Sequence, residues 1–60
     1  MMTITITTTC VCALRGLAHL GLTATVKAGT QAIVVKDNRS CWVVKLPSGA
    51  EAFVQKRFCK

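Results

Sequence analysis

Acidic residues are nearly missing from this chain: Asp37 and Glu51 are the only two, set against eight lysines and arginines, and the net charge is +6. Those two carboxylates sit in or beside different turns. They make no acid and base pair, so hydrolytic chemistry of the two-carboxylate kind is excluded and the chain is not expected to be an enzyme. Histidine occurs once, as His19, with no acid, serine or cysteine at a spacing that completes a catalytic constellation. Aromatic residues are scarce too, with one Trp, two Phe and no Tyr. A domain this small must therefore use almost every large side chain for packing. No apolar run is long enough to cross a membrane, because the most apolar segment, Val11 to Leu22, falls short of ~20 residues and carries Arg15 and His19. The first residues, Met1 to Ile6, lack a basic leader and are interrupted by Thr, which is not the pattern of a secretion signal. The expected setting is the cytoplasm, with reduced thiols and no membrane partner.

The hydrophobic fraction is 52%, with Val, Ile, Thr and Ala prominent, and that composition belongs to a folded chain. Residues 1–60 are read as a single domain. A chain of this length buries only ~60% of the surface that its unfolded form exposes, so its stability is marginal. Four cysteines, Cys10, Cys12, Cys41 and Cys59, do not form the paired knuckles of a zinc module. Two of them alternate on a strand and two stand alone. They are read as small apolar side chains, with no metal and no cofactor expected.

The clearest local signal runs from Cys41 to Val54. Alternating residues flank Leu46-Pro47-Ser48-Gly49, where Pro presets φ for a turn and Gly accepts a positive one. A hairpin follows, pairing Lys45 with Glu51, Val44 with Ala52, Val43 with Phe53 and Trp42 with Val54. Trp42, Val44, Leu46, Ala52 and Val54 then face inward. Thr3 to Cys12 reads as an N-terminal strand with Ile4, Ile6, Cys10 and Cys12 on one side, and Ala13 to Leu20 as one or two helical turns ended by Gly21. Leu22 to Val26 and Gln31 to Lys36 add strands separated by the Ala28-Gly29 turn. Asp37 to Ser40 forms a polar loop that pairs Lys36 with Cys41, Val35 with Trp42 and Ile33 with Val44. Leu22, Ala24, Val26, Ile33 and Val35 are thereby assigned to the core. Lys27, Val34, Lys36, Val43, Lys45 and Phe53 are assigned to the outer face.

Two blocks in this meander carry a family resemblance. Ala28-Gly29-Thr30-Gln31-Ala32-Ile33-Val34 and Cys41-Trp42-Val43-Val44-Lys45-Leu46-Pro47-Ser48-Gly49, with Cys59 following, resemble the SH3-like C-terminal domain of ribosomal large-subunit protein two over about residues 26–59. The flanking RNA-binding segments of that family have no counterpart here. The expected fold is all-β: a small SH3-like barrel, a β-meander with an added N-terminal strand and one short helical turn. The resemblance implies RNA binding, and specifically rRNA binding.

From the residues themselves, RNA recognition would use Lys27, Lys36, Arg39, Lys45, Lys56 and Arg57 for phosphates and Phe53 as a platform for an unstacked base. The alternative is a protein-interaction module, of the kind a small phage or mobile element uses against a host factor. Val34, Val43 and Phe53 would then form the patch for a protein partner or for a second copy.

Overall fold

Alternation along residues 41–54 builds the hairpin at the centre of the molecule. The computed structural model describes residues 2–60. Its strands are β1 (Met2–Thr5), β2 (Cys10–Leu14), β3 (Thr23–Val26), β4 (Gln31–Asn38), β5 (Cys41–Lys45) and β6 (Glu51–Gln55). Two short 3-10 turns, Ala18–Leu20 and Lys56–Phe58, complete the elements. All strands join one antiparallel sheet in the order β1-β4-β5-β6-β2-β3. Among the described residues no ladder joins β1 to β3, so the sheet is open.

The β5–β6 register is the expected one, with Trp42 opposite Val54, Val43 opposite Phe53, Val44 opposite Ala52 and Lys45 opposite Glu51. Leu46 donates its N–H to the Ala50 carbonyl at 2.8 Å, and Gly49 closes the turn at φ 93°. Val44, Leu46, Ala52 and Val54 are buried, and half-buried Trp42 packs against them. Every strand contributes to one buried cluster: Ile4, Cys10, Cys12, Val26, Ala32, Val44, Ala52 and Val54 meet on the same side of the sheet. A single sheet seals a face in this way only by curling around it. The chain ends help. Thr5 and Lys60 exchange backbone hydrogen bonds at 2.9 and 2.8 Å, Ile6 bridges Cys59, and Thr7 N–H reaches the Phe58 carbonyl at 2.7 Å.

Four expectations need correction. The Thr3–Cys12 stretch is two strands rather than one, because the chain leaves the sheet between Ile6 and Cys10. Its inward residues, Ile4, Ile6, Cys10 and Cys12, are nevertheless all buried as expected. Within the Ala13–Leu20 stretch the helical part is one 3-10 turn, Ala18–Leu20; Leu14 stays in β2, and Gly16 and Gly21, at φ 81° and 71°, bracket the loop. The third correction is to β4. Its turn is tighter than expected: Asn38 pairs with Cys41 and Asp37 with Trp42, leaving Arg39 and Ser40 as the two turn residues. A bulge between Val34 and Lys36 then shifts the register, so that Val34 pairs with Val44 and Ile33 with Lys45. An extra residue reverses alternation on one side of it. Ala32 and Val34 therefore face the core, while Ile33 and Val35 are exposed. Leu22 lies just before β3 and is also exposed, not in the core.

Candidate nucleic-acid interface

The outer face of the sheet is fixed by register. One row across it reads Thr3, Ile33, Lys45 and Glu51. The next reads Lys36, Val43, Phe53, Ala13 and Thr23. Lys36 and Lys45 are exposed and Phe53 is half-buried. The β4 bulge leaves Lys36 on the expected outer face, since it sets Lys36 opposite Val43. Lys36 and Lys45 stand two residues apart along β5 and one strand apart across the sheet, so their Cα atoms are ~8 Å from each other.

The expected protein-binding patch is not assembled. Val43 is only 1% exposed, enclosed in its row between Lys36 and Phe53, and Val34 packs on the core side. Of Val34, Val43 and Phe53, only Phe53 offers surface on the outer side.

Both carboxylates are engaged. Arg15 Nη1 donates to Glu51 Oε1 at 3.4 Å, beside a backbone bond from Arg15 N–H to the Glu51 carbonyl at 2.9 Å. Lys56 Nζ donates to Asp37 Oδ1 at 2.7 Å and lies 4.1 Å from the centroid of the Trp42 ring. Lys56, one of the expected phosphate contacts, is thus engaged by Asp37 and the Trp42 ring. Its position is held by its own N–H, bonded to the Ser40 carbonyl at 2.8 Å. Lys27, Lys36, Arg39, Lys45, Arg57 and Lys60 have no carboxylate partner among the described residues. Eight cations less the two that are paired leave six, which equals the whole net charge.

The expected site residues fall at two ends of the sheet. Arg39 occupies the β4–β5 turn, and Arg57 lies in the adjacent 3-10 turn with its guanidinium 4.9 Å from the Phe58 ring. Lys45 and Lys27 lie at the other end, around the Leu46–Gly49 turn. Lys45 borders a hollow of about 410 Å³ with Thr3, Gln31, Ile33, Leu46 and Pro47. Lys27 borders a shallower one of about 250 Å³ with Thr25, Thr30, Pro47 and Ser48. Lys36 and Phe53 lie between the two ends. Thr3 and Gln31 were not expected beside Lys45. Their approach depends on β1 pairing with β4, a contact between distant segments that no local pattern announces. Compared with family models, curated proteins and solved structures, the chain matches none.

Proposed function

We propose that the protein is a cytoplasmic RNA-binding domain that uses the outer face of β4, β5 and β6. Lys36 and Lys45 take neighbouring phosphates there, and Phe53 stacks an unpaired base. Arg39 and Arg57 extend the basic track at one end and Lys27 at the other. The observation that carries this reading is the division of charge. Both carboxylates are held by Arg15 and Lys56, while Lys36 and Lys45 remain free on the face that bears Phe53. A surface whose one carboxylate, Glu51, is paired with Arg15 keeps an excess of positive charge that raises the local concentration of a polyanion and speeds its capture.

The same reading treats the curled sheet as an SH3-like barrel. Its support is the β4-β5-β6 meander together with the return of residues 58–60 along residues 5–7. The blocks that resemble the ribosomal domain fall on the entry to β4 and on β5 with its following turn, beside the proposed face. An rRNA segment with unpaired bases is the substrate class this favours.

The test is affinity for unstructured RNA and for an rRNA hairpin as a function of salt. For single strands each phosphate contact contributes ~0.7 to the slope of log K against log salt. Lys36→Gln with Lys45→Gln should lower that slope by about 1.4, two contacts at ~0.7 each. Affinity that does not change with salt sinks the proposal.

A further inference from the structure

Cys10 and Cys12 form a buried thiol pair that the RNA reading leaves unused. They occupy successive inward positions of β2, 8% and 3% exposed, and their sulfur atoms stand 3.5 Å apart. Cys59 is brought to the same region by the Ile6–Cys59 bridge, but it donates its thiol to the Gln55 carbonyl at 3.4 Å. No group of three metal-ligating side chains is present among the described residues. We infer that Cys10 and Cys12 form a two-coordinate site for a soft monovalent d10 cation, Cu(I) being the representative ion.

Coordination number and softness select the ion. Zinc in structural sites takes four ligands, and magnesium and calcium require oxygen donors, so a pair of sulfurs without carboxylate or imidazole satisfies none of them. Thiolates are the preferred donors of Cu(I). With metal–sulfur bonds of ~2.3 Å, two sulfurs on a bent or linear ion lie ~3.8–4.6 Å apart. The pair must therefore open by ~1 Å at most, which small side-chain rotations supply. Binding converts two thiols and one M⁺ into a bis-thiolate complex of charge −1 and releases two protons. No electron is transferred. The charge of the ion itself offsets one of the two thiolate charges within the buried site. Cys10 directly follows the exposed Thr7–Thr9 loop, which gives the ion a route inward.

A disulfide is the poorer use of this pair. Residues i and i+2 of an extended strand have Cα atoms ~6.6–6.8 Å apart, at the upper limit for a disulfide, so oxidation would distort β2.

The experiment is an anaerobic titration of the full chain with Cu(I) supplied as the complex of a weak chromophoric chelator. Native mass spectrometry and chelator absorbance give the stoichiometry. One Cu(I) per chain is expected, retained in Cys41→Ala and Cys59→Ala and reduced to none in Cys10→Ala with Cys12→Val. The Val replacement keeps the core filled, and far-UV circular dichroism checks that the sheet survives. X-ray absorption on the loaded wild-type protein gives an independent reading, with two sulfur neighbours expected around the metal. Failure to take Cu(I) from the chelator, unchanged uptake by a folded double variant, or three or more sulfur neighbours overturns the assignment.

Discussion

Val43 and Phe53 face each other across the β5–β6 hairpin on its outer side, yet Val43 is sealed while Phe53 remains half-exposed. Neighbours in one row thus have different roles. Val43→Ala should cost about 1.5–3 kcal/mol of stability, the scale for a fully buried aliphatic side chain, and leave RNA affinity of the folded fraction unchanged. Phe53→Leu should weaken RNA binding by about 1–3 kcal/mol through lost stacking, with a smaller stability change. Urea unfolding and RNA titration on both variants check the division. Equal losses of affinity in the two variants would assign Phe53 a packing role only.

Releasing the paired cations should strengthen binding. Asp37→Asn frees Lys56, and Glu51→Gln removes the one carboxylate in the row of Lys45. Each is expected to tighten RNA binding by about twofold to tenfold at low salt and to lose that advantage at high salt. The cost in stability should stay within about 1 kcal/mol, since both pairs are solvent-accessible. Fluorescence anisotropy at two salt concentrations measures the effect.

Arg39 sits at φ 53°, the only non-glycine residue with positive φ among those described. The Arg39 Cβ crowds the backbone there, a steric penalty that glycine does not incur. Arg39→Gly should therefore stabilise the fold by about 0.5–1 kcal/mol, the gain in turn geometry being partly offset by a more flexible unfolded chain. A higher urea midpoint at unchanged slope is the expected outcome.

Burial pushes the Cys12 thiol from its ordinary value of 9.0 up to about 12, with the hydrogen bond from Cys10 and the charges of Cys10 and Cys59 adding to the effect. Cys59 is shifted in the same direction, again first by burial and then by Cys10. The unfolded chain ionises these thiols first. The Cys12 contribution to stability is thus complete below pH 9.0 and is lost as pH rises toward about 12, and that of Cys59 declines in the same direction. Thermal melts should show Tm declining through this window, and Cys12→Val should flatten the decline. At neutral pH, Cys41 should react with an alkylating reagent ahead of Cys12, which peptide mapping will show.

Local patterns revealed some parts of this molecule and concealed others. The hairpin around Pro47 was legible because turn chemistry, alternation and the Lys45–Glu51 pair all agree. The inward set Ile4, Ile6, Cys10 and Cys12 was legible from period-two spacing, although the break between β1 and β2 was not. Ile33 and Val34 were exchanged because adjacent apolar residues carry no signal for a bulge, and alternation propagated through it gives the wrong face. The cationic residues were visible in the sequence, but the engagement of Lys56 by Asp37 and Trp42 was not. That contact depends on the β4–β5 turn docking against the last 3-10 turn. The hollow beside Lys45 was hidden for a similar reason, since it needs β1 next to β4.

Val35 is the residue that the β4 ladder can spare. Val34 already pairs with Val44 and Lys36 with Val43, and these partners are consecutive in β5. A chain lacking Val35 would keep every pairing from Met2 to Val54 and keep Lys36 outward, while losing the added twist that a bulge imposes. Single-residue length variation is thus tolerated at this point of the strand by pairing but registered by curvature. Deletion of Val35 becomes a way to flatten the binding face at the loss of one exposed side chain.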